Sequence, residues 1–94
     1  MITHFITHDA KDTVGVIVVE KVLAGQKVTG WIMETDETIT IKVIEDIPLG
    51  HKLALNEIKN EETIVKYGND IGRAISNIPK GGYVHVHNLK TKRW

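Results

Sequence analysis

One frame occurs three times in this chain and narrows what the chain can fold into. It is an apolar residue, two positions, a glycine, two positions, and a second apolar residue. The copies are Val22-Leu23-Ala24-Gly25-Gln26-Lys27-Val28, Ile47-Pro48-Leu49-Gly50-His51-Lys52-Leu53 and Ile78-Pro79-Lys80-Gly81-Gly82-Tyr83-Val84. Proline presets φ for the second position of a type I turn and glycine suits the fourth, so the frame predicts one turn geometry opening three strands. The copies are unevenly spaced, which argues against a solenoid, whose stacked units need a fixed period. Short strands delivered by turns suit a small barrel-like, all-β fold built from hairpins and long returns, which closes its edges rather than exposing them.

The segments between these turns read mainly as strands. Ile2–Thr7 is β-prone, Val14–Glu20 is nearly continuous Val and Ile, and Lys27–Met33 is a further strand. Thr38–Ile44 alternates, with Ile39, Ile41 and Val43 inward and Thr38, Thr40 and Lys42 outward. His51–Leu55 and Thr63–Tyr67 are strands, Gly68-Asn69-Asp70 is a break, and Ile71–Ile78 is extended but interrupted at Gly72. Asn56–Glu62 is the one helix-compatible patch and is expected to form a single turn at most. The 94 residues make one domain, 1–94.

Composition removes several function classes. With no cysteine there is neither a disulfide nor a thiolate metal site, which fits a reducing compartment. Twelve basic and twelve acidic residues cancel, so no global field draws the chain to nucleic acid. The local exception is the tail, Lys90-Thr91-Lys92-Arg93-Trp94. No apolar run reaches the roughly 20 residues of a membrane span, and the N-terminus lacks the features of a signal peptide. The expectation is a cytoplasmic protein that binds neither nucleic acid nor membrane.

Gly82–Asn88 is where reactive groups concentrate. Read as a strand, it sends Tyr83, His85 and His87 to one face and buries Val84 and Val86 on the other. An imidazole pair at i and i+2 can ligate a metal, orient a carboxylate or pass protons; the ordinary alternative is two half-exposed residues on an edge strand. Two histidines are too few for a complete metal site. His51 and Lys52 follow the first proline turn, as a proton-transfer group and a cation for a substrate anion, or as a solvated strand start. Tyr67 and Gly68 offer a hydroxyl donor and close backbone approach, or a tyrosine packed in the core. Arg73 offers a fork for an anion, or a surface ion pair of little energetic weight. Asn88 holds His87, touches substrate, or serves the turn. His4 and His8 read as surface residues, and Trp31 and Trp94 as packing or interface residues.

Asp46–Leu55, Ile64–Gly68, Ile71–Ala74, Ile78–Gly81 and Val84–Thr91 together resemble the SAF domain of the altronate and galactarate dehydratases. The resemblance covers residues 12–94. Within that family, Gly30-Trp31, Asp36-Glu37-Thr38 and the tail Lys90–Trp94 look most like the branch whose small subunits serve sulfolactate cleavage; the altronate dehydratase small subunit shares the central motifs. The resemblance implies a β-clip fold and a larger catalytic partner subunit. It implies metal-dependent elimination from a small 2-hydroxy acid. The divalent metal, expected to be iron, would be held mainly by the partner, with His85 and His87 as this chain's first candidates for ligands. Catalytic roles then fall to His85, His87 and His51, and substrate contacts to Lys52, Tyr67, Gly68, Arg73 and Asn88; the alternative is a non-catalytic SAF binding module in which the histidine strand is a contact surface.

Overall fold

The computed structural model describes residues 2–91. Among them are eleven short strands and no helix: β1 Phe5–Thr7, β2 Val14–Ile17, β3 Lys21–Val22, β4 Lys27–Ile32, β5 Glu37–Lys42, β6 Ile47–Pro48, β7 Lys52–Ala54, β8 Thr63–Lys66, β9 Asn69–Ala74, β10 Tyr83–Val84 and β11 Leu89–Lys90. They form a six-stranded sheet in the order β10-β7-β2-β1-β4-β5, a three-stranded sheet β11-β9-β8 and the pair β3-β6. All pairings are antiparallel except β1 with β4.

Two apolar clusters hold these layers. The first gathers Phe5, Ile17, Val22, Val28, Ile41, Val43, Ile47, Leu53 and Leu55. Phe5 lies on β1 between β2 and β4, where a Cβ on Gly15 or Gly30 would run into its ring. Two bare glycines thus make the space that one aromatic fills. The second cluster joins Val14, Ala54, Ile58, Ile64, Ala74, Ile78 and Val84. β7 feeds both, Leu53 into one and Ala54 into the other. The alternation read in Thr38–Ile44 holds: Ile41 and Val43 are buried, Ile39 is half-buried, and Thr38, Thr40 and Lys42 are exposed.

The repeated frame is real in three dimensions, one residue out of step with expectation. Hydrogen bonds from Gln26 N–H to the Leu23 carbonyl, His51 N–H to Pro48 and Gly82 N–H to Pro79 close the three turns. The glycine therefore stands third, not fourth, with φ of 87° at Gly25, 82° at Gly50 and 84° at Gly81. A positive φ at the third position is the signature of a type II turn, not type I. Each glycine N–H donates to another strand or its end: Gly25 to Val43, Gly50 to Ile17, Gly81 to Ala54.

A fourth copy replaces the expected helical turn. Ile58 pairs with Ile78, Glu62 N–H donates to the Lys59 carbonyl, and Glu61 has φ of 76° with its N–H on Ala74. Ile58 and Ile64 are both fully buried at the frame's apolar positions. Glutamate where the other copies have glycine hid it. The Val14–Glu20 run is also shorter than expected, because the strand ends at Ile17 and Val18 is exposed.

Candidate functional site

The β7–β10 pairing builds the site. Tyr83 lies opposite Leu53 and Val84 opposite Lys52. One step further along the same register His85 falls opposite His51, and their rings lie 4.5 Å apart, tilted by 38°. The Tyr83 hydroxyl shares a short hydrogen bond with His51 Nδ1. The Tyr83 ring stacks near His85 at 5.7 Å and meets His87 edge-on at 5.5 Å. Tyr83 is thus in contact with all three imidazoles. Partial burial, then the positive charges that His51, Lys52 and His87 can carry, push the His85 pKa down, so its imidazole is mainly uncharged at neutral pH. Burial, then the Lys66 charge, also lowers the Lys52 pKa.

The strand expected over Gly82–Asn88 ends at Val84. Residues 85–88 form a turn instead, with Asn88 and Leu89 N–H groups both on the His85 carbonyl. Asn88 causes it. Its Oδ1 accepts the His85 N–H and its Nδ2 donates to the Tyr83 carbonyl, a local side-chain alternative to a strand ladder. Val84 is buried as expected, but Val86 is 73% exposed at the turn tip, so the alternating pattern fails there. His85 and His87 are therefore carried by a turn and not by a strand face. Asn88 itself is 93% buried and shapes that turn.

A second turn follows Lys66, the cation whose charge reaches Lys52. Lys66 pairs with Asn69, leaving Tyr67 and Gly68 as a two-residue hairpin with φ of 51° and 75°. Positive φ at both central positions is what a type I′ turn requires. A Cβ on Gly68 would meet nothing within 4 Å, so the glycine serves the backbone angle and not close packing. Asp12 anchors this turn: its Oδ1 accepts the Gly68 N–H, and its Oδ2 accepts the Thr7 hydroxyl and the His8 and Asp9 N–H groups. Burial raises the Asp12 pKa, but these bonds outweigh it and leave the carboxyl below its ordinary value. Burial, then the Asp12 charge, raises the Tyr67 hydroxyl. Lys66 Nζ sits 5.5 Å from the Tyr67 ring centroid, and the His8 ring meets Tyr67 edge-on.

Arg73 pairs with Glu61 at 3.7 Å, the surface ion pair that was one of its two readings. His4 is not a plain surface residue. It is half-buried and its Nδ1 accepts the Thr29 N–H. Trp31 is 37% exposed and donates from Nε1 to Asp36. Trp94 lies outside the described residues, as do Lys92 and Arg93.

The imidazoles of His51, His85 and His87 do not converge as a three-ligand set. Among the described residues such convergence is found only at His8, Asp9 and Glu34, which are exposed or half-exposed. His51 Nδ1 is also engaged by Tyr83. This chain alone therefore does not fit a metal centre at the histidine cluster. A hollow of about 400 Å³, lined by Thr7, Asp12, Ile39, Leu55 and Lys80 among others, contains none of these histidines.

The sequence reading missed Tyr83 and Asp12 as site residues. Alternation already put Tyr83 on the face of His85 and His87 without giving it a role, and its link to His51 depends on a register between segments about thirty residues apart. Asp12 offered no local signal, because its partner Gly68 is 56 positions away.

The family model for the altronate/galactarate dehydratase SAF domain matches residues 3–92, so the likeness extends into the first strand and the Asp12 loop. The (2R)-sulfolactate sulfo-lyase subunit alpha of Chromohalobacter salexigens is 54% identical over 90 residues, 96% of each chain. The protein of the same name from Paracoccus pantotrophus is 48% identical over 60 residues, covering 64% of this chain and 87% of that one. The altronate dehydratase of Bacillus subtilis is 51% identical over 53 residues, but these are only 11% of that enzyme. An all-β domain matched along nearly its whole length, this chain belongs to the SAF-domain family of the altronate and galactarate dehydratases.

Proposed function

We propose that this chain is the small subunit of a two-subunit lyase that cleaves (2R)-3-sulfolactate to pyruvate and sulfite. Two relatives carry the name sulfolactate sulfo-lyase subunit alpha, one of them matched over 96% of both chains. The observation that carries the chemical reading is the His51–His85 contact beside Lys52, one polar cluster made by a single strand pairing.

Sulfolactate carries a carboxylate and a sulfonate. Lys52, with Lys66 nearby, supplies cationic charge for such a dianion. An uncharged His85 accepts the C2 proton. The C2–H electron pair becomes the C2–C3 double bond, the C3–S pair leaves with sulfite, and the resulting enol ketonises to pyruvate. Developing negative charge on the carboxylate side needs donors or cations aimed at it, which His51 and Lys52 provide from this chain. The larger partner subunit would hold the divalent metal.

The test is co-expression with the large subunit and assay of sulfite release from (2R)-3-sulfolactate. His85→Ala is expected to lower kcat by about a hundredfold or more, with the circular dichroism of the small chain unchanged. Full activity in that variant removes His85 from the chemistry. Dehydration of altronate without sulfite release reassigns the leaving group.

A further inference from the structure

The Tyr83 hydroxyl sits within the imidazole cluster, bonded to His51. Its ring is half-buried and packs against the first apolar cluster. Its backbone is held on both sides, the N–H by Glu45 Oε2 and the carbonyl by Asn88 Nδ2. The hydroxyl is thus presented from a fixed frame to His51 Nδ1, the ring nitrogen it bonds. A neutral imidazole has one donor and one acceptor nitrogen, and whatever bonds one decides the role of the other. A phenol is a better donor than acceptor, so the favoured arrangement is Tyr83 O–H donating to a bare His51 Nδ1.

We propose that Tyr83 is a positioning residue that fixes His51 as the Nε2–H tautomer, making His51 a hydrogen-bond donor toward the substrate and not a base. The two touching imidazoles then have opposite tasks: His51 donates from Nε2, and His85 accepts. The consequence for turnover rests on the lyase reading above; the tautomer does not. The Tyr83 hydroxyl acts through His51, whose Nδ1 it bonds, while the ring packs against His85 and His87.

The test has two arms. In the first, the full-length chain is ¹⁵N-labelled in metal-free buffer above the imidazole titration range, and the His51 ring nitrogens are compared in wild type and Tyr83→Phe. Wild type is expected to show a protonated Nε2 and an unprotonated, hydrogen-bonded Nδ1. In Tyr83→Phe the Nδ1 resonance should move to the free, unbonded position and the Nδ1–H form should gain population. A wild-type His51 protonated mainly at Nδ1, or nitrogen shifts unchanged in Tyr83→Phe, overturns the proposal.

In the second arm, the assembled two-subunit enzyme carrying Tyr83→Phe is expected to lose about ten- to a hundredfold in kcat, with KM within about twofold. Wild-type turnover in Tyr83→Phe, where His51→Ala is inactive, overturns the positioning role. Full activity in His51→Ala counts instead against the lyase reading of His51, and the nitrogen shifts then decide the hydrogen bond independently.

Discussion

Two turns that carry candidate residues are each held by one buried polar side chain, but in different ways. At Tyr67–Gly68 the holder is Asp12, a carboxylate that comes from 56 residues away and takes four donors. At His85–Asn88 the holder is Asn88, a neutral amide inside the turn it shapes, with one bond accepted and one donated. A charged acceptor makes stronger bonds and leaves a larger penalty when removed. The distant anchor therefore contributes to global stability, since it ties the β8–β9 hairpin to the loop after β1. The local anchor chiefly sets where two imidazoles point.

The sharpest way to break this contrast is to remove Asp12. Asp12→Ala leaves the buried Thr7 hydroxyl and three part-buried N–H groups without this acceptor and is expected to cost about 3 kcal/mol, read as a lowered urea midpoint. An unchanged midpoint would mean that water replaces the carboxylate at no cost. The same carboxyl gives a pH signature. Its folded pKa lies below its unfolded value, so its contribution is present above about pH 4. That contribution is lost as pH falls through the folded pKa. Urea midpoints taken from pH 7 down to pH 3 should fall more steeply for wild type than for Asp12→Asn.

Asn88→Ala should cost less, about 1 to 2 kcal/mol for two lost bonds. Its larger effect should be on the site, with the ring contacts of His85 and His87 to Tyr83 weakened in proton NMR spectra. Equal destabilisation by Asp12→Ala and Asn88→Ala would erase the distinction between the anchors.

The smallest effect has the opposite sign. Glu61 occupies a left-handed backbone position where the three parallel turns have glycine. Glu61→Gly is expected to stabilise by about 1 kcal/mol, because the exposed pair with Arg73 contributes little against the relieved strain. A loss of stability would show that the Arg73 pair outweighs the backbone term.

The short-range parts of this molecule were legible in its residues. The alternation of Ile39 and Ile41 placed one strand, the spacing of apolar residues and glycine placed three turns, and His51 and Lys52 stand where the second of those turns opens a strand. Those signals work because side-chain period and turn angles are local properties. The helical expectation at Asn56–Glu62 failed because Glu61 adopts an angle that its residue type disfavours, held there by the Ala74 carbonyl. The strand expectation at His85–Asn88 failed because Asn88 offers the backbone a competing local bond. Neither outcome is visible in periodicity.

Residue types alone settled an all-β domain without thiol chemistry, with histidines near the end of the chain and a lysine after a turn. Tertiary structure decided which of those groups meet. His85 reaches His51 through the β7–β10 register, and Asp12 reaches Gly68 across 56 positions. Register is set by which faces are buried together, a property of the assembled core and not of any segment by itself.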